Sequence, residues 1–296
     1  MTRCTLCGAH AARAFVTPDR NRRISAESFA YLRCGRCGLL FLENRPGDLG
    51  PYYAGDYFGF PTREELANVP REERGQVELL RRHLDGGNLV EVGPGRGFFA
   101  HAAKDAGFDV EVVERDERSC EQLREVVGVR VTQSDRPQEI LREREGASAV
   151  VLWQVLEHLP EPWDVLDAAT DSLRPGGLLA LATPHPGGLE SRLLGGRWPH
   201  VDAPRHLQLV PPRPLVKRLR RGGLEPLSLS SSDPDARRWS AFAWQRALMN
   251  ETRGRVPRAA AFWAGTALAA ALWPLERQRL NGPSYTLVMA KAAAPS

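Results

Sequence analysis

The segment LVEVGPGRGFFAHAAK, Leu89 to Lys104, constrains this chain more than any other stretch. An apolar run ending in an acid, three alternating glycines and an apolar-patterned helix follow one another directly, and that order reads as strand, turn and helix. The alternation then continues. NLVEVG, DVEVVERD, VRVTQSD and ASAVVLWQVL read as buried strands, and Phe98 to Ala106, RSCEQLREVV and RPQEILRERE as the helices between them. WDVLDAATDSLRPGGLLALATP adds a helix, a turn and a fifth strand. Alternation on this scale predicts an α/β fold, a parallel sheet covered by helices, with ligands bound at the carboxyl ends of the strands.

The glycines discriminate among ligands. A dinucleotide turn has the form G-x-G-x-x-G, whose third glycine lets a helix pack close under a pyrophosphate. Here Gly93, Gly95 and Gly97 give G-x-G-x-G, and Phe98 occupies the place of that third glycine. A Walker lysine and hydroxyl are also missing, which disfavours a nucleoside triphosphate. Glu91 would repel a phosphate at the turn but attract an ammonium group. Glu114 closes the second strand, where a carboxylate in a Rossmann-like fold binds the hydroxyls of a ribose. The expected ligand carries a ribose and a positive charge and no phosphate, conditions that S-adenosylmethionine meets.

At this point EVGPGRG resembles the first motif of class I S-adenosylmethionine-dependent methyltransferases, and VVERD their second strand. VVLWQVLEHLPEPWDVLDAATDSLRPGGLLALATP is similar to the later motifs of the ubiquinone-methyltransferase-like branch, methyltransferase family 23, and the likeness runs from Leu84 to Leu229. The resemblance implies a Rossmann-like, seven-stranded methyltransferase sheet. It places Glu91 and the three glycines around the methionine moiety, Glu114 at the ribose, Ser134 or Asp135 at the adenine amino group and Gln154 at the methionine part. Phe98, Arg115 beside Glu114 and Tyr57 complete the expected cofactor contacts.

Methyl transfer from a sulfonium is an in-line displacement, and an oxygen acceptor also needs a base, for which histidine is the usual group near neutral pH. His158 in LEHLPEP is expected to start the helix after the fourth strand, facing the transferred methyl. His206 lies in a segment resembling the family's P-x-H-L, after the fifth strand, where a base or substrate-orienting role is expected. His200 shares that loop, and His185 in TPHPGG could line the same cavity. Each competes with a structural reading, a histidine bonded to backbone.

Ahead of this core, Cys4 and Cys7 in CTLC and Cys34 and Cys37 in CGRC form two tight turns, each followed by a glycine. Four soft ligands in two pairs suit a closed tetrahedral Zn(2+) site that holds structure and performs no chemistry. With the isolated Cys120, this usage fits a reducing compartment, and MTRCTLCGAH lacks the apolar core of a signal peptide, so a cytoplasmic protein is expected. The zinc ribbon and the tyrosine-rich loop around Tyr52, Tyr53, Tyr57, Phe58 and Phe60 are similar to bacterial members that modify sugars and other small metabolites, although the long C-terminal domain of the sugar C-methyltransferases is missing. The loop is a candidate lid.

The expected organisation is a zinc-ribbon module over 1–45, an aromatic loop and helical linker over 46–85, the methyltransferase core over 86–232, a helical insert over 233–280 and a final strand and tail over 281–296. The insert is the main departure, since about fifty residues separate LEPLSLSSS from SYTLVMAKA, a length that normally carries function or extra structure. Its alanine-rich run Ala259 to Trp273 is shorter than the roughly 20 residues that span a bilayer and is stopped by Pro274. Peripheral membrane contact through the arginine-flanked helix is one reading, and a helical hairpin that covers the site or forms a homodimer seam is the other.

The acceptor is expected to be a small molecule, a sugar, glycan precursor or specialised metabolite. Against an RNA substrate stand the net charge of only +4, the three lysines and WQVL in place of an N-P-P-Y tetrapeptide after the fourth strand. A zinc-ribbon scaffold without catalysis is the remaining alternative, and the intact cofactor motifs argue against it.

Overall fold

A computed structural model describes residues 2–53 and 59–292. The ribbon contributes β1 (Ala11–Pro18), β2 (Ser28–Cys34) and β3 (Leu40–Leu42), followed by the short α1 (Arg63–Leu66) and by α2 (Arg71–Arg81). The core then alternates through β4 (Gly87–Val92), α3 (Phe98–Asp105), β5 (Phe108–Glu114), α4 (Glu117–Gln122), β6 (Arg130–Gln133), α5 (Pro137–Arg142), β7 (Ala147–Trp153), α6 (Pro162–Ser172) and β8 (Leu173–Pro184). After it come α7 (Leu189–Leu194), β9 (Gln208–Leu209), α8 (Pro212–Arg221), β10 (Leu224–Ser230), the helical pair α9 (Pro234–Asn250) and α10 (Arg255–Glu276), and β11 (Ser284–Lys291).

Seven strands form one sheet in the order β10-β11-β8-β7-β4-β5-β6. β4 to β8 run parallel, and β11 enters antiparallel between β8 and β10. This is the expected methyltransferase sheet. β7, a continuous apolar run, is buried on both faces, as a central parallel strand requires. Alternate residues divide the core into two layers. Val90, Val92, Val150 and Leu152 face α6 and α8 through Leu166 and Leu215, while Leu89, Val110, Val112 and Val151 face α2 and α3 through Leu80 and Phe99.

The ribbon's sheet is completed from far along the chain, because β9 pairs antiparallel with β3 through Leu40 opposite Leu209 and Phe41 opposite Gln208. Phe29, Tyr31, Leu40 and Tyr52 accordingly share one buried cluster with Trp198, Val201, Leu207 and Leu209. The loop that carries His200 and His206 is thereby clamped between the ribbon and the core.

The insert folds as two packed helices. Asp233 caps α9 by accepting from the Ala236 amide at 2.9 Å, with Pro234 in the first turn. Gly265 lets α10 approach α9 closely, since a Cβ there would stand 2.4 Å from the Cα of Gln245. Glu276 is fully buried and accepts from Ser240 and from Trp244 Nε1, which fastens the end of α10 to α9. The helix runs two residues past Pro274, which sits in its last turn and so does not stop it where the sequence suggests. The outer side of α10 leaves Val256, Phe262, Trp263 and Leu275 exposed, and no helix among the described residues is long and apolar enough to cross a membrane.

Candidate active site

All three glycines of the opening turn have left-handed φ, 64° at Gly93, 55° at Gly95 and 78° at Gly97. Steric room matters at two of them. A Cβ on Gly93 would stand 2.8 Å from Val155, and one on Gly97 would stand 2.8 Å from both Leu123 and Val127. Gly97 therefore gives close packing beneath the turn, and Phe98 starts α3 as a buried side chain with Arg96 over its ring at 4.9 Å.

Glu91, the next-to-last residue of β4, is only 2% exposed, and its Oε2 has no hydrogen-bond partner among the described residues. Burial, with the charges of Glu73 and Glu114 nearby, pushes its carboxyl well above the usual range. A cation brought beside this carboxyl would favour its charged form and supply the missing hydrogen bond. Glu114 ends β5, and its Oε1 accepts from the amides of Arg115 and Asp116 at 2.7 and 2.9 Å. The second oxygen is left for a ligand. Burial raises its pKa as well. The Arg115 guanidinium stands 5.5 Å over the ring of Tyr53. Ser134 is half-buried beyond β6 and its hydroxyl accepts from the Arg136 amide at 3.0 Å, whereas Asp135 is exposed and does not cap α5, whose N-cap is Arg136. Tyr57 lies outside the described residues.

Gln154 follows β7 with a left-handed φ of 55°. Such a conformation costs a non-glycine residue of the order of 1 kcal/mol and tends to be held where function needs it. Its Nε2 donates to Asp235 Oδ2 of α9 at 2.9 Å, so the insert reaches the carboxyl edge of the sheet.

The histidines separate into two groups. His158 does not start a helix; it sits in the turn before α6, which begins only at Pro162 because that proline supplies the first-turn φ. His158 Nδ1 lies 2.9 Å from the Tyr53 hydroxyl and 3.2 Å from the Arg205 carbonyl, and the His158 and His206 rings meet edge to face at 4.6 Å. His206 Nδ1 donates to the His200 carbonyl at 2.7 Å. A carbonyl only accepts, so Nδ1 carries the proton and Nε2 keeps a lone pair. Burial lowers His158 to about 4 and His206 to about 3, and both rings are neutral at physiological pH. Glu157 is buried beside them, accepts from Thr183 Oγ1 at 2.9 Å and is raised by burial to about 8. His200 instead packs among Trp198, Trp239 and Phe242, with Nε2 donating to the Trp239 carbonyl at 3.2 Å. His185 packs edge-on against Tyr285. Both rings are buried against aromatic neighbours, outside the contact between the His158 and His206 rings.

The four ribbon cysteines converge. Their Sγ atoms all lie within 4.8 Å of one another, with Cys4 to Cys37 and Cys7 to Cys34 at 3.5 Å. These separations exceed the disulfide length of about 2.05 Å and approach the edge of about 3.8 Å of a tetrahedron with zinc–sulfur bonds of about 2.3 Å. The Cys37 amide also donates to Cys34 Sγ at 3.4 Å, as a metal knuckle requires. The donor set fits a closed zinc site.

With this geometry in place, the chain matches a family model described as a methyltransferase domain over residues 65–229, more than half its length. It belongs to that family, and it is a class I S-adenosylmethionine-dependent methyltransferase. It is similar to the ubiquinone biosynthesis O-methyltransferase of Bordetella avium, 28% identical over 161 residues, 51% of this chain and 67% of that one. A protein of the same name from Paramagnetospirillum magneticum is 31% identical over 112 residues, 37% of this chain and 45% of the relative. Among solved structures, the cyclase SpnF superimposes with a TM-score of 0.50 at 20% identity, covering 75% of this chain and 81% of that one. A Bacillus halodurans C-125 protein with a provisional methyltransferase name gives 0.50 at 14% identity, covering 74% and 99%. At such identities the structures establish the fold alone, and a cyclase among them shows that the sheet does not dictate the reaction.

The sequence does not announce Tyr53 as the partner of His158, Glu157 as a buried acid beneath it, or Asp235 as the partner of Gln154. The only available signals were Tyr53's place in an aromatic loop before the core and Asp235's place at the start of an unexpected insert.

Proposed function

We propose that this protein transfers a methyl group from S-adenosylmethionine to a hydroxyl of a small molecule, a sugar, glycan precursor or specialised metabolite, with His206 as the base and His158 and Tyr53 orienting the acceptor. The observation that carries this reading is the hydrogen bond from His206 Nδ1 to the His200 carbonyl, which leaves an unprotonated Nε2 lone pair beside His158 in the loop after β8. The O-methyltransferase names of the relatives support an oxygen acceptor. The bound cofactor supplies an electrophilic methyl on a sulfonium. The chain's own groups align the acceptor oxygen, exclude water and take up its proton.

Two outcomes test this. His206→Asn, assayed with methyl-labelled cofactor on the acceptor found by screening hydroxylated metabolites, is expected to lower kcat about a hundredfold while the affinity for S-adenosylhomocysteine stays level. Equal loss in both would make His206 a folding residue. Glu114→Ala is expected to weaken S-adenosylhomocysteine binding by about 2 kcal/mol, since it removes a charge-assisted bond to the ribose; unchanged affinity in calorimetry would move the ribose elsewhere. We further infer that Cys4, Cys7, Cys34 and Cys37 hold a structural zinc ion, on the strength of the sulfur geometry given above.

A further inference from the structure

The insert places a buried acid at the carboxyl edge of the sheet. Asp235, in the first turn of α9, is 6% exposed, and its Oδ2 is held by Gln154 Nε2 at 2.9 Å. Arg238, one turn further along the helix, pairs with Glu73 of α2 at 3.4 Å instead. Around this pair the acceptors outnumber the donors. Glu91 Oε2, Glu73 Oε2 and Gln76 Oε1 are buried without a hydrogen bond among the described residues, and Glu91 and Gln76 are 2% and 8% exposed. Burial raises Asp235 to about 7, with the charges of Asp233 and Glu73 adding to it and Arg238 opposing, and Asp235 in turn acts on Glu157. Buried acceptors and carboxyls left without donors are satisfied by a cation.

S-adenosylmethionine brings two cations, an ammonium and a sulfonium. Glu91 stands at the glycine turn, opposite Val151 in the paired strand β7. Gln154 lies further along that strand's direction, past its carboxyl end, so Asp235 stands beyond Glu91 on the side where donor and acceptor meet. We propose that Asp235 is a cofactor-selecting residue, a carboxylate aligned by Gln154 that favours the charged sulfonium of S-adenosylmethionine over the neutral thioether left after transfer. In the reaction the acceptor oxygen's lone pair forms the new bond to the methyl carbon, the carbon–sulfur electron pair returns to sulfur, and the hydroxyl proton passes to His206. The sulfur loses its charge in that step. The attraction to Asp235 is lost with it, which loosens the product and lets the next donor displace it.

The inference rests on the carboxyl edge of the sheet being the cofactor site, and the experiment separates the two. Wild type and Asp235→Asn are titrated at pH 8 by calorimetry with S-adenosylmethionine, S-adenosylhomocysteine and sinefungin, which carries an amine where the methylated sulfur stands. Asparagine keeps an oxygen for Gln154, and the melting temperature checks the fold. The expected result is a loss of roughly tenfold for the two ligands charged at the reacting centre, with S-adenosylhomocysteine little changed. A uniform loss for all three, or no loss, overturns the proposal. If the asparagine variant does not fold, Asp235→Ser, which keeps a hydroxyl oxygen for Gln154, is read in the same way. Failure of the wild type to bind S-adenosylhomocysteine would instead remove the cofactor site itself.

Discussion

Replacing Arg205 with methionine is expected to destabilise the protein by about 3–5 kcal/mol, the range for breaking a buried ion pair from one side. Arg205 is fully buried and bridges two carboxylates. Its Nε and Nη2 donate to Asp202 at 2.8 and 2.7 Å, and its Nη2 and Nη1 donate to Asp19 at 2.7 and 3.3 Å. Asp19 also accepts from the amides of Arg22 and Ile24, which shapes the turn between β1 and β2, and Asp202 takes a further bond from Asn21 at 2.6 Å. One side chain thus joins the ribbon to the loop that carries His206, and its own carbonyl faces His158. Methionine fills much of the volume but leaves two buried carboxylates facing each other.

The cost has a pH signature. Burial by itself would raise Asp202, but the Arg205 hydrogen bonds more than offset it and hold the group well below the ordinary carboxylate range. A depressed folded pKa contributes stability that is present above the unfolded pKa and lost as pH falls through the folded one. In the variant that contribution is gone at neutral pH, and protonation relieves the orphaned acids. The gap between wild type and Arg205→Met, measured by urea unfolding, is therefore expected to be widest near pH 7 and to narrow below about pH 4. A gap independent of pH would mean that lost packing dominates. Lysine should not rescue, because a point charge cannot bridge two carboxylates as a planar fork does.

Most of the fold could be read from the chain because the signals are local. The glycine turn at Gly93 to Gly97, the unbroken apolar run of β7 and the strand-helix alternation each declare themselves within a dozen residues. The places of Glu91, Glu114 and Gln154 at the carboxyl ends of strands follow from the same logic. What could not be read is the long-range pairing. Asp19 looks like an ordinary turn residue and Arg205 like one arginine among many, yet they meet across 186 positions. β9, two residues long, carries no strand signal of its own and exists because β3 offers it an edge. Asp235 looks like a favourable acid in the first turn of a helix, and only the packing of α9 against α2 and β11 turns it toward Gln154. The histidines show both cases: spacing singled out His158 and His206, but it could not separate them from His200, whose ring is enclosed by tryptophans two and 39 positions away.

Removing the zinc ion proposed for the ribbon is expected to have the largest effect, and to reach beyond the ribbon. Structural zinc in small modules contributes about 10–16 kcal/mol of folding free energy at neutral pH, more than the whole stability of about 5–15 kcal/mol of an ordinary domain. The two knuckles are otherwise held by little, chiefly the bonds from the Cys4 amide to Ala9 at 2.8 Å and from the Cys34 amide to Leu39 at 2.9 Å. Cys4, Cys34 and Leu39 pack into the same core as Leu156, Leu159 and Val210, the residues that flank Glu157, His158 and β9. When the ribbon loosens, β3 no longer pairs with β9 and the His158 and His206 wall loses its support, whereas Glu91 and Glu114 stand on strands of the central sheet that pair with none of the ribbon's strands. Elemental analysis is therefore expected to find one zinc per chain, and Cys34→Ser or prolonged chelation to abolish methyl transfer and lower the melting temperature while much of the S-adenosylhomocysteine binding survives. A metal-free protein with full activity would refute the zinc site, and a parallel loss of cofactor binding would show that the ribbon supports the whole sheet.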